Sequence, residues 1–141
     1  MSDWNRNIIE EFRANKGKVA SFGTQPLLLI THTGAKTRTK RTNPLARFRD
    51  GDRYIVVASK GGAPTNPDWY HNLLANPKAT IELGSEQLEV TAKPASSSER
   101  KTLWTMITTQ NPMFKDYEKK TSRTIPVVIL TPSAPGARKK A

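Results

Sequence analysis

The chain contains no cysteine and only two histidines, His32 and His71. Without thiols there are no disulfides, no thiolate zinc or iron–sulfur ligation and no cysteine nucleophile. Neither histidine has a second ligand at helical or hairpin spacing, so no metal centre is expected. His32 alternates within an apolar strand and reads as an ordinary hydrogen-bonded residue. Long apolar runs are missing too. Pro26 to Ile30 and Pro126 to Leu130 fall far short of the roughly 20 residues that cross a bilayer. The N-terminus has neither a signal-peptide core nor a lipidation motif. These absences point to a cytoplasmic protein. No G-x-S-x-G elbow, Walker loop or G-x-G-x-x-G fingerprint occurs. Acids are scarce: 12 Asp and Glu against 23 Lys and Arg, for a formal net charge of +11.

Such an excess of positive charge seeks an anionic partner: nucleic acid, an acidic membrane surface or a polyanionic small molecule. Its distribution discriminates among them. Lys36, Arg38, Lys40, Arg41, Arg47, Arg49, Arg53 and Lys60 face only Asp50 and Asp52 within one central segment. That segment overlaps predicted strands and a tight turn, whereas a disordered nucleic-acid arm would carry contiguous basic residues without apolar alternation.

The 141 residues suit one domain able to bury a core unaided. Trp4, Ile8, Ile9 and Phe12 share one face of a helix predicted over 3–14. Strands are predicted over 27–33, 42–49 and 53–59, the last two joined by an Asp50-Gly51-Asp52 turn. Gly61 to Thr65 breaks the pattern. Asn66 as N-cap and Pro67 at the first helical position open a helix over 68–75. A hairpin of 79–83 and 87–92 follows. A Ser96-x-x-Glu99 capping box then starts a helix through about Thr109, its buried face supplied by Leu103, Trp104, Met106 and Ile107. A short helix runs from Asn111-Pro112 to about Lys120, and a last strand covers 125–131. The expected class is α+β, mainly β: a barrel of about six antiparallel strands with three or four flanking helices, in one domain over 1–131. Residues 132–141 read as a basic, disordered tail.

Three features could carry chemistry. The Thr33-Gly34-Ala35-Lys36-Thr37 turn could present backbone N–H groups to an anion, with Lys36, Arg38 and Arg41 crowding the same edge. A hairpin turn with solvated charges would look the same in sequence. Asn43-Pro44 inside a strand marks an edge or a bulge, because proline cannot donate to a ladder. The exit Val57-Ala58-Ser59-Lys60-Gly61-Gly62 is built of small residues that would admit a flat ring, although an ordinary strand exit has the same look. Trp69 and Tyr70, just beyond it, serve more often as core anchors than as ligand contacts.

Together these strings resemble a known family. Thr33-Gly34-Ala35-Lys36-Thr37, Arg41-Thr42-Asn43-Pro44-Leu45, Ala58-Ser59-Lys60-Gly61-Gly62, Asn66-Pro67-Asp68-Trp69-Tyr70-His71-Asn72-Leu73 and Arg123-Thr124-Ile125-Pro126 occur in this order in the deazaflavin-dependent nitroreductases, the F420H2-dependent reductases of actinobacteria. The resemblance covers about 27–131. It implies a split β-barrel of the FMN-binding-like kind and reduced coenzyme F420 as hydride donor to quinones, enones, unsaturated lactones or nitroaromatics. It places Lys36, Thr37 and Arg41 on the phosphate side of the cofactor. Thr42, Asn43, Pro44, Leu45 and Ala46, with Val57, Ala58, Ser59 and Lys60, become walls around the deazaflavin. Asp68, Trp69, Tyr70, His71 and Asn72 supply further contacts, and Tyr117 borders the substrate side. Three positions depart from the pattern: Ala35 replaces an arginine, and Ala46 and Phe114 replace tyrosines.

On this reading the deazaflavin carries the hydride chemistry and the protein supplies binding, orientation and electrostatics. Tyr117, Ser59 or water would deliver the proton. The partner is a small-molecule electron acceptor, with at most peripheral membrane association, and a homodimer is compatible because related barrels dimerise. Two alternatives stand beside it: an FMN-binding barrel, since the basic turn would hold that phosphate equally well, or an F420 carrier without turnover. Nucleic-acid binding would want aromatics along a strand face. The central strands offer only Phe48 and Tyr54, so no nucleic-acid partner is expected.

Overall fold

The computed structural model describes residues 3–23, 25–62, 65–133 and 139–140. In chain order these form α1 (Asp3–Ala14), β1 (Leu27–Thr33), β2 (Lys40–Ala46), β3 (Phe48–Asp50), β4 (Arg53–Val57), α2 (Asp68–Ala75), β5 (Lys78–Glu82), β6 (Glu86–Pro94), α3 (Ser97–Gln110), α4 (Met113–Lys119), β7 (Val127–Pro132) and β8 (Lys139–Lys140). Neighbouring strands are antiparallel, in the order β2-β1-β5-β6-β7-β4-β3, with β8 added to β6. The two ends of that order are consecutive in the chain. Arg47 alone separates β2, which bonds β1, from β3, which bonds β4. The sheet therefore curls until both its edges belong to one bent stretch of chain, giving the expected split barrel.

The single strand expected over 42–49 is thus two. The break falls at Arg47, whose N–H to Pro26 O bond (2.9 Å) is the last in the β1–β2 register, because one stretch cannot pair with β1 and β4 in a single register. This break and β8 raise the strand number above the expected six. Pro44 sits on an edge strand, where its missing N–H costs no ladder bond.

Side-chain parity explains the unbroken apolar runs. Leu28 and Ile30 of β1, with Val56 and Tyr54 of β4, point into the barrel and join Val90 and Leu130. The alternate residues are buried as well. Leu27 and Leu29 lie under Ile8, Ile9 and Phe12 of α1. Ile55, Val127 and Ile129 lie under Leu103 and Ile107 of α3 and Phe114 of α4. Strands covered on both faces read as continuous hydrophobic runs. Each fully buried side chain of this size stabilises the fold by about 1.5–3 kcal/mol. β6 has one solvated face and alternates, Leu88, Val90 and Ala92 inward against exposed Gln87, Glu89 and Thr91.

Two helix caps differ from expectation. Pro67, extended at φ −70° and ψ 156°, occupies the N-cap of α2 and offers no side-chain cap. Asn66 instead accepts a hydrogen bond from Arg123 Nη1 (2.7 Å). The box at α3 is half formed. Ser96 Oγ accepts from Glu99 N (3.3 Å), while the Glu99 carboxylate is drawn to Arg53 (3.1 Å). The predicted tail lies mostly outside the described residues, as do Ala63 and Pro64 of the Gly61–Thr65 break. At its ends, Pro132 completes β7 and Lys139–Lys140 pair with Gln87 and Glu86.

Candidate functional site

One pole of the barrel gathers the end of β1, the start of β2, the exit of β4 and the beginning of α2. Here Gly34 to Thr39 forms a compact turn. Gly34 N–H donates to Thr39 O (2.9 Å) and Arg38 N–H to Gly34 O (3.1 Å), Thr39 N–H to Thr37 Oγ1 (3.3 Å) and Ala35 N–H to Asn72 Oδ1 (2.9 Å). Most amides of the expected nest are therefore consumed by the fold. Those of Lys36 and Thr37 have no partner among the described residues. Gly34 is required by crowding rather than by φ: a Cβ there would lie 2.7 Å from Thr37 Oγ1. The left-handed residue is Arg38 (φ 57°), and Lys60 (φ 48°) is another at the same pole. Such strain is held by its surroundings and clusters at ligand sites.

Two adjoining cavities open beside this turn. One, of about 360 Å³, is lined by Lys36, Thr37, Arg41, Asp68, His71 and Asn72. The other, of about 500 Å³, is lined by Arg41, Thr42, Asn43, Lys60, Asp68 and Trp69, with Asn5 of α1 at its margin. Arg41 and Asp68 belong to both. Both are basic: Lys36 and Arg41 line the smaller, and Lys40, Arg41 and Lys60 line the larger, which Trp69 also walls.

Beneath the cavities lies a buried polar chain. His32 continues the inward parity of Leu28 and Ile30 to the end of the barrel and is 2% exposed. Its Nε2 is 2.7 Å from Asn43 Oδ1, and its Nδ1 is 3.1 Å from Asn72 Nδ2. The Asn72 oxygen already accepts from Ala35, so its amide nitrogen faces the imidazole and can only donate. His32 is thereby fixed as the neutral tautomer protonated on Nε2. Burial pushes its pKa below the ordinary histidine value, the Asn43 bond opposes this and the charge of Arg41 adds to it.

The β4 exit is tied down by Arg123. Its Nη1 donates to Ala58 O (3.2 Å) and Asn66 Oδ1 (2.7 Å), and its Nη2 to Ser59 O (2.8 Å). β4 ends at Val57, short of the expected Ser59; Ala58 N–H adds one more bond in the β4–β7 register, to Pro126 O (3.0 Å), and the Lys60–Gly62 turn follows. Ser59 is buried, and its hydroxyl has no hydrogen bond with a described residue.

Eight expected site residues line neither cavity. Pro44, Leu45 and Ala46 follow β2 away from this pole, and Leu45 and Ala46 pack on core clusters. Val57 and Ala58 are buried core residues, and Ser59 lies just past them. Tyr70 is half-buried, edge-on to Trp69 at 6.5 Å. Tyr117 is half-buried on α4, edge-on to Phe114 at 5.6 Å, its hydroxyl 3.2 Å from Met113 Sδ. Its helix packs on the Lys60–Gly62 turn, so it borders the strand exit.

Residues 4–132 match the model of the F420H(2)-dependent quinone reductases. The chain belongs to that family. A quinone reductase of this name from Mycobacterium tuberculosis is 44% identical over 125 residues, covering 85% of this chain and 84% of its own. A solved F420-H2 dependent reductase superposes with a TM-score of 0.69 at 40% identity, covering 74% of this chain and 93% of its own. Another solved structure, described as a domain-swapped dimer, has a TM-score of 0.71 and 37% identity, covering 91% and 97%.

As a member of the F420H(2)-dependent quinone reductases, the chain is an F420-dependent oxidoreductase whose cofactor is reduced F420. The donor set fits such an anionic, flat-ringed group: two amides without a partner among the described residues, the exposed Lys36 and Arg41, and a Trp69 wall on the adjoining cavity. Sequence reasoning gave no role to Arg123, although its motif carried the resemblance, nor to His32 as a link between Asn43 and Asn72. Strand parity from Leu28 would have placed His32 inside. Among the described residues, no helix is long and apolar enough to cross a membrane.

Proposed function

We propose that this reductase binds F420 at the α2 pole and passes reducing equivalents to quinones. The observation that carries the reading is the pair of adjoining cavities joined at Arg41 and Asp68. Lys36, Arg41 and the amides of Lys36 and Thr37 would hold the phosphate. Thr42, Asn43, Lys60 and Trp69 would flank the ring. Reduced F420, when bound, supplies the hydride. Asn43 spends its oxygen on His32, which leaves its Nδ2 for the ligand. The Ser59 hydroxyl is available as a donor at the strand exit. Tyr117 or water protonates the reduced acceptor, with Tyr117 held beside the exit by the packing of α4. Nitroaromatics and enones are electron-poor in the same sense as quinones and belong to the same proposed acceptor class. Homodimer formation is part of the proposal, supported by the related domain-swapped dimer, as is a cytoplasmic protein with no nucleic-acid partner.

The test is to titrate the protein with F420, FMN and single-stranded DNA, then to follow oxidation of reduced F420 by menadione, an enone and a nitroaromatic. Micromolar F420 binding, much weaker FMN and DNA binding, and menadione-dependent oxidation are expected. Absence of F420 binding overturns the reading, and binding without oxidation by any acceptor makes the protein a carrier.

A further inference from the structure

The opposite pole holds polar groups that the F420 site does not use. Seven residues of β1 separate the two poles, roughly 20 Å at about 3.3 Å per residue. Arg47, at the break between β2 and β3, is half-buried, and its guanidinium has no hydrogen bond or ion pair with a described residue. Tyr54 is 6% exposed, and its hydroxyl likewise has no partner among the described residues. Both line a cavity of about 390 Å³, and Arg47 also lines a neighbouring one of about 780 Å³. Pro26 and Leu83 are common to the two.

The charges around Arg47 favour an anion. Lys16 and Lys18 lie on the larger cavity with Glu11, whose carboxylate is committed to Ala20 N–H (2.7 Å). Arg49 and Glu86 lie on the smaller, Arg49 Nε donating to Gly51 O (2.9 Å). Burial lowers the proton affinity of Arg47, Arg49 adds to this, and Tyr54 and Glu86 oppose it. The rim is preformed: a Cβ on Gly84 (φ 116°) would lie 2.7 Å from Lys16 O, and one on Gly17 (φ 96°) 3.1 Å from Gly84 Cα. Two turns thus interlock backbone to backbone. The floor is apolar, with Leu27 buried and Pro26 and Leu83 beside it.

We propose that this pole is a binding site for an organic monocarboxylate, its head on the Arg47 guanidinium and Tyr54 hydroxyl and its apolar body along Pro26, Leu27 and Leu83. A guanidinium fork matches a carboxylate in geometry and in charge. The fork and one neutral hydroxyl together suit a single carboxylate head. The site is independent of the F420 reading.

Calorimetric titration with decanoate, decanol and inorganic phosphate tests it. The wild-type protein should bind one decanoate saturably, and decanol and phosphate at least tenfold more weakly. Arg47→Gln should weaken decanoate at least tenfold and Tyr54→Phe severalfold. F420 affinity and melting temperature serve as fold controls. No decanoate binding at millimolar concentration, equal binding of decanol or phosphate, or unchanged affinity in Arg47→Gln overturns the proposal. If Arg47→Gln does not fold, Tyr54→Phe, which removes only one hydroxyl, decides: severalfold weaker binding supports the site and unchanged binding removes it.

Discussion

The Asn72 side-chain nitrogen donates to His32 Nδ1 across 3.1 Å, and this contact tolerates only a neutral imidazole. Protonation would set an N–H of His32 against the Asn72 NH2, which cannot turn without releasing Ala35 N–H. His32 is held below its ordinary pKa, chiefly by burial. The unfolded chain therefore takes up a proton near pH 6.5 that the folded chain refuses. This contribution is fully present above about pH 6.5 and is lost as pH falls below it, down to the depressed folded value. Urea midpoints between pH 7.5 and 5 should decline accordingly, and His32→Gln should flatten the decline. Equal slopes in the two proteins would refute the assignment.

Arg123→Ala should destabilise the protein by roughly 2–4 kcal/mol, since it strips donors from Ala58 O and Ser59 O at a buried strand exit. It should also raise KM for F420, because those carbonyls fix the backbone beside Lys60. Arg123→Lys offers one point charge for a three-acceptor fork and should recover little. Full recovery of stability and KM by lysine would show that charge alone matters.

Much of this arrangement was readable in the sequence where one local rule acted alone. The apolar face of α1, the run of β1 and the length of α2 each follow from periodicity and flanking breakers, and they appear at the expected residues. Where two demands compete, the local rule lost. Arg47 sits in a run that reads as one strand, yet barrel closure forces a change of partner there. Asn66 has the chemistry of a cap, but Arg123, 57 residues away, claims its oxygen. The phosphate turn was legible as a turn. That Asn72 takes up the Ala35 amide depends on α2 docking under β1, which no local pattern encodes.

Lys36→Ala combined with Arg41→Ala should weaken F420 binding at least a hundredfold, from the loss of two contacts worth about 1.5–3 kcal/mol each to an anion. Both side chains are exposed, so the urea midpoint should hardly move. The salt dependence of binding should flatten at the same time. An unchanged dissociation constant would make the basic edge a solvated surface.

Asp68 is an acid on both cavities. Its carboxylate opposes an anionic ligand, while its place in the first turn of α2 favours the helix by about 0.3–1 kcal/mol. Asp68→Asn should therefore tighten F420 several-fold and lower stability slightly. Calorimetry at low and high salt checks this, the gain shrinking as salt rises. Weaker binding in Asp68→Asn would mean that the carboxylate itself contacts the ligand.

Gly62 couples the strand exit to α4. It sits at φ 85°, and a Cβ there would lie 2.8 Å from Lys120 Cβ and 3.0 Å from Tyr117 O. Gly62→Ala must bear the left-handed penalty of about 1–2 kcal/mol and also push α4 away, at about 1–3 kcal/mol. Gly51 is a matched control: its φ is 61°, but a Cβ would meet nothing within 4 Å, so Gly51→Ala bears the backbone penalty alone. Gly62→Ala should be the more destabilising of the two in urea melts. It should also lower turnover more than F420 affinity, because the displaced helix carries Tyr117 and not the phosphate contacts. Equal costs at the two glycines would show that α4 yields freely, and the placement of Tyr117 by that packing would fall with it.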